Sequence, residues 1–457
     1  MTMNEVLKLR VLSSGVLLLL CLGGPDAWAD WPTHRGNNQR TGFREQKLSA
    51  AGWQPAWTYA DLDAPAPAWP APARGSLWQR LTSIEPRVTD DRGDVPLIAA
   101  DVTGTLHLLI GSSSSDRLVS LDPSTGAVQW QFVADGPIRY APCIHEGMVF
   151  VGADDGMVRA LSLQDGAVLW SVQVGPDLPK IVGNSRLIAA HPIRTSLVAS
   201  GDRVFVNAGL FPSQGVYTAA LQADDGQIVW RRRTERSPQG YLLIDDRDRL
   251  LIPCGRAAPY CVALDSGRFI SEMPSAGGSF AMATKSAFFS GPGNDPTVKY
   301  LQNIPQAKML PTEGRTIAAG QGRLWSAGGG RLVCRDLSKM MAREKNSLLW
   351  STACSLDGTL VVSGSEERLL VFVAGKGRVR IFDGRTGTAM DELTLPAVED
   401  EIRYLAVSSS AAESPDVLIA TTASGKVYGW HGMSRSEAPK KAWPQVAEEQ
   451  LSRDVVL

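Results

Sequence analysis

Along most of the chain, apolar and polar residues alternate in short runs broken by clusters of Gly, Asp, Ser and Thr. The alternation predicts half-buried strands, and the clusters predict turns between them. One unit is written most clearly between residues 118 and 170. Leu118-Val119-Ser120-Leu121-Asp122 leads through Thr125-Gly126 to Trp130, and Val158-Arg159-Ala160-Leu161-Ser162 leads through Asp165-Gly166 to Trp170, 40 residues later. A third copy runs from Thr218 through Asp225-Gly226 to Trp230. A period near 40 in which every element reads as a strand predicts a radial β array, because one sheet cannot bury both faces without neighbours. Gly126, Gly166 and Gly226 stand where the turn calls for positive φ. Trp130, Trp170 and Trp230 are expected to pack between neighbouring units.

The stretches VSLDPSTGAVQW, RALSLQDGAVLW and AALQADDGQIVW resemble the repeat of pyrroloquinoline-quinone-type (quinoprotein-like) β-propellers. The resemblance implies an all-β, single-propeller fold. It extends both to quinoprotein dehydrogenases and to non-enzymatic, BamB-like scaffold propellers, so it speaks for fold and little for activity. Strand pairs are expected at 97–111, 148–163, 203–221, 249–264, 287–301, 323–336, 369–383 and 417–430, which predicts eight four-stranded blades, or seven if 287–301 fails. The strand at 51–60 is expected to join the last blade and close the ring, removing the free edges. Two departures interrupt the repeat: an excess at 176–196, and LSKMMAREKNS at 337–347, the clearest helical window, read as a surface excursion.

The N-terminus changes the picture. Lys8 and Arg10 precede an apolar run from Val11 to Leu22, and Ala27-Trp28-Ala29 forms a small-x-small site before Asp30. Residues 1–29 therefore read as a cleaved signal peptide, with export to the periplasm or outside the cell. Lipidation at Cys21 is the weaker alternative. The remaining divisions are a polar leader at 30–48, the propeller at 49–432 and a tail at 433–457 carrying Trp443, expected to be exposed. The leader, DWPTHRGNNQRTGF, resembles the segment ahead of the first strand in secreted quinoprotein-like propellers and is expected to plug or clasp the ring. No second run long enough to span a bilayer follows. The 46 basic and 47 acidic residues nearly cancel, which argues against nucleic acid as a partner. Five cysteines follow residue 29. Cys254 and Cys261 either face each other across a hairpin as a disulfide or are simply packed.

Candidate chemistry is sparse. No two of the five histidines have ligand spacing, and no nucleophile motif or phosphate loop is present. Long connections at 184–294 combine Gly, Pro, aromatic and polar residues, a mix suited to a binding pocket. Arg186, Arg194, Gln239, Tyr241 and Arg256 are the candidate ligand-binding residues, with Gln214 and Asn294 behind them. Their arginines suit a carboxylate. These features predict a monomeric, non-catalytic binding or scaffold propeller for a protein or small acidic ligand, without a cofactor. A quinoprotein dehydrogenase with quinone and calcium in its channel is the alternative that the resemblance implies, although no motif supplies calcium ligands. A propeller hydrolase or lyase using His191 is the third.

Overall fold

The computed structural model describes residues 31–66, 93–183, 186–255, 257–273, 280–291, 299–301, 310–312, 314–409, 415–433 and 443–444. The expected signal peptide (1–29) and nearly all of the tail lie outside these residues, as do Arg256 and Asn294. Among the described residues the alternating pattern folds into eight successive antiparallel sheets. Sheet 1 spans 97–133, sheet 2 143–173, sheet 3 198–234, sheet 4 243–272, sheet 5 280–311, sheet 6 316–353, sheet 7 359–394 and sheet 8 402–433. The eight expected strand pairs fall one to a sheet. Seven are second and third strands, whereas 97–111 supplies the first and second.

First strands touch between sheets 1 and 2, 2 and 3, 4 and 5, 6 and 7, and 7 and 8, and that of sheet 8 (Ile402–Ser408) touches that of sheet 1 (Leu97–Ala100), so the array closes into a β-propeller. Sheet 8 draws its fourth strand from the other end of the chain. Gly52–Tyr59 pairs antiparallel with Val427–Met433.

The Trp-Gly repeat is a seam device. Trp130 packs not on its own turn but on Gly166 of the next sheet, where an added Cβ would lie 2.6 Å from the ring. Its indole N–H donates to Leu163 O at 2.9 Å. Trp57 meets Gly126, Trp170 meets Gly226, Trp230 meets Gly267 and Trp350 meets Gly387 in the same way. Each of these four also donates to a carbonyl of the sheet it enters: Pro123, Ala223, Leu264 and Gly384. The buried clusters follow the same logic, as in the one joining Phe150 and Val158 of sheet 2 to Val204 and Leu221 of sheet 3.

The 337–347 window departs from the surface excursion expected. It forms a short helix, Leu337–Met341, capped by Asp336, whose carboxylate accepts from Lys339 N at 2.9 Å. It stands where sheet 6 would otherwise make its Gly turn. Met341 is buried against Met282, Phe289 and Ile317, filling the seam between sheets 5 and 6 that has no Trp. Trp443 is half-buried rather than exposed, edge-on to Tyr428 and Trp430.

Candidate functional site: the channel and its loop end

In a four-stranded antiparallel sheet, the hairpin between strands two and three and the crossing to the next sheet emerge at the same end. The connections at 186–196, 208–217 and 237–243 and the sheet 4 hairpin between Arg249–Cys254 and Ala257–Ala263 alternate between these two types, whereas those at 277–281 and 291–295 lie mostly outside the described residues. The described ones therefore share one end of the ring, opposite the Trp-docking turns.

At that end the candidate residues have definite partners. Arg194 is 3% exposed, and its guanidinium forks onto Asp154 at 2.6 and 2.9 Å. Arg139 donates to the same carboxylate at 2.7 Å. Burial pushes the Arg194 guanidinium below its ordinary value, and Asp154 partly offsets this. Arg186 is exposed and forks onto Asp116, Nη1 to Oδ1 at 2.9 Å, a pairing that raises its pKa. Gln239 sits on the next crossing, its N–H donating to Pro253 O at 2.9 Å. Tyr241 is buried. One face is covered by His34, stacked 3.6 Å away, and Tyr140 meets it edge-on at 5.4 Å. The structure thus gathers Arg194, Arg139, Asp154, Tyr140 and Tyr241, while Arg186 and Gln239 stand apart. Gln214 contributes only its carbonyl, bonded to His191 Nε2 at 3.1 Å.

Arg139 and Asp154 carry no site signature in the sequence, since Asp154-Asp155-Gly156 is ordinary turn composition. One signal was available: Pro137-Ile138-Arg139 and Pro192-Ile193-Arg194 are the same tripeptide at equivalent crossings.

The leader fills the channel. Trp31 exchanges both main-chain hydrogen bonds with Ile98 of sheet 1, and Ile144 of sheet 2 donates to Pro32. The Asn38 side chain reaches Ala199 O of sheet 3 at 2.7 Å. Ile244, Ala283, Ala319 and Val362, of sheets 4 to 7, donate to Asn38, Gln39, Thr41 and Gly42. Phe43–Arg44 adds a parallel strand to sheet 7. The Gln46 amide closes the circuit on Val407 O and Ser409 N of sheet 8, at 3.0 Å each.

A separate hairpin, Ile181–Gly183 with Arg186–Ile188, belongs to none of the eight sheets. It projects at the loop end with Val182 79% and Leu187 64% exposed; Leu178, just before it, and Phe211, in the 208–217 connection, are also exposed.

Asp101, His107 and Ser120 have a triad-like order, with His107 bonded to Ser120 Oγ at 2.9 Å and to Asp101 at 3.4 Å. Ser120 is fully buried and donates to Gln129, so the trio ties strands of sheet 1 together. His191 is buried too, its ring against Tyr217. Among the described residues no three His, Cys, Asp or Glu cluster as a metal site. The five cysteines described are free and buried. Cys254 pairs in register with Ala257 and Cys261 with Leu251, which corrects the disulfide alternative.

Residues 71–241 match the family model described as outer membrane protein assembly factor BamB. The BamB of Yersinia pestis is 23% identical over 185 residues, covering 39% of this chain and 43% of that protein. The BamB of Moranella endobia (strain PCIT) is 23% identical over 140 residues, 31% of this chain and 32% of that one. The chain therefore spans less than half the length of these curated relatives. Among solved structures, quinohemoprotein alcohol dehydrogenase from Comamonas testosteroni superposes with a TM-score of 0.60 at 12% identity, covering 90% of this chain and 82% of that one. A europium-containing methanol dehydrogenase gives 0.59 at 11% identity, covering 88% and 98%. At such identities the likeness is one of fold alone: the chain is a β-propeller carrying the PQQ-like repeat.

Proposed function

We propose that this repeat propeller is an exported, non-catalytic binding or scaffold protein that docks a protein partner on its loop end, through the 181–188 hairpin. The carrying observation is the exposure of Val182 and Leu187 on a two-stranded element outside the eight sheets of the ring. Exposed apolar side chains grouped on one projection mark interaction surfaces. A two-stranded hairpin is marginally stable in water unless something covers it. The matched relatives' name, an outer membrane protein assembly factor, supports a scaffold role.

Val182→Asp with Leu187→Asp should leave the melting temperature nearly unchanged, since exposed substitutions move stability by about 0.5 kcal/mol or less. It should abolish co-purification of the partner from envelopes of the source organism. Undiminished capture by this variant would sink the docking site. Export is checked by mass spectrometry of the exported protein, with Asp30 expected as the first residue.

A further inference from the structure

We infer that the channel is a peptide-binding site whose ligand is the chain's own segment 31–46. The innermost strand of each sheet has one edge turned to the channel, and an unpaired edge invites another chain. Here the leader takes those edges in sheet order, one to eight, making a single circuit of the wall.

Recognition goes beyond the main chain. Arg35 and Arg40 both adopt left-handed backbone, with φ of 62° and 60°, which L residues other than Asn, Asp and His seldom adopt. Both side chains are buried. Arg35 donates to Arg40 O at 2.8 Å and to Ile317 O of sheet 6, with its guanidinium over Phe280. Arg40 donates to Leu242 O at 2.8 Å, Leu197 O at 3.3 Å and His34 O at 3.2 Å, and lies over Tyr241. Among the described residues neither has a carboxylate partner, so carbonyl dipoles and aromatic faces solvate both charges. Burial pulls both guanidinium pKa values down to about 10. Two arginines five residues apart, spanning sheets 3 and 4 on one side and sheet 6 on the other, are side-chain-specific contacts.

The same residues do not fit the quinone and calcium that the fold's dehydrogenases imply. The face of Tyr241 is taken by His34, both channel arginines are committed to carbonyls, and the axis is filled by main chain.

Amide hydrogen exchange on the intact protein tests this. The N–H groups of Ile98, Ile144, Ile244, Ala283, Ala319 and Val362 point at leader carbonyls and should be protected as well as mid-sheet amides. In Arg35→Ala with Arg40→Ala they should exchange about tenfold faster or more, with amides in outer strands unchanged. If that variant does not fold, Gln46→Ala should release Ser409 N–H alone. Fast exchange at the six amides in the wild type would overturn the inference. So would stoichiometric uptake of pyrroloquinoline quinone with calcium, measured by absorption after desalting, while the six stay protected. The hairpin variant alters none of these readouts, so this inference and the docking site stand or fall separately.

Discussion

Gly166 and Gly104 isolate what the repeat glycine does. Both have positive φ, 73° and 86°, but a Cβ on Gly166 would meet the Trp130 ring at 2.6 Å whereas Gly104 has nothing within 4 Å. Gly104→Ala pays backbone strain alone, and Gly166→Ala adds about 1–3 kcal/mol of overpacking. Gly166→Ala should therefore melt clearly below Gly104→Ala in calorimetry. Trp130→Ala opens the seam outright and should cost about 3–5 kcal/mol. Asp154→Asn strips the counter-charge from two buried arginines. By the cost of breaking a buried ion pair it should lose about 3–5 kcal/mol in denaturant titration. The Trp and Gly positions were legible because they recur. That each Trp crosses to the next sheet's glycine was not, because a period of about 40 fits packing in either direction. Arg194 read as a ligand clamp for a similar reason: its type and loop were visible, but its carboxylate partner lies 40 residues back in what looked like an ordinary turn.

Among elements, the helix Leu337–Met341 shows that the seam tolerates a different filler. Met341→Ala should cost about 2–5 kcal/mol, within the range for a buried methionine, although no Trp is touched. Equal melting of that variant and the exposed control Leu349→Ala would show that the helix contributes nothing to the seam. Its place was legible from LSKMMAREKNS. Its burial was not, since five residues are too few to show an amphipathic period. The 181–188 hairpin was invisible as an element because IVGNSRLI, short and Gly-interrupted, reads as loop. The strand at 52–59 was legible, because a strand left over at one end of a repeat array has one open sheet to join.

At the scale of the whole molecule, buried thiols set the alkaline limit. Burial pushes Cys143, Cys254 and Cys334 from 9.0 up to about 12. Their folded-state pKa values are raised, so their contribution is complete below pH 9 and is lost as pH climbs toward 12. The channel arginines, lowered to about 10, act with the opposite sign above that pH. Between pH 9 and 10 the melting temperature should fall, and a triple Cys→Ala variant should show a flatter decline from its own starting value. The ring was legible from its period. The plug's role was only partly so, because its bonds are mostly main-chain and leave no apolar pattern. That plug also fixes the order of events in assembly. Residues 31–59 leave the ribosome early, yet they pair with strands as far as Met433, 381 residues beyond its partner Gly52. Nearly all of the propeller must be present before the leader has its full set of partners. Such contacts between distant parts of the sequence make closing slow, because loop-closure entropy is lost before any bond compensates for it. A chain cut short before sheet 8 leaves the end of its leader and the strand at 52–59 without partners.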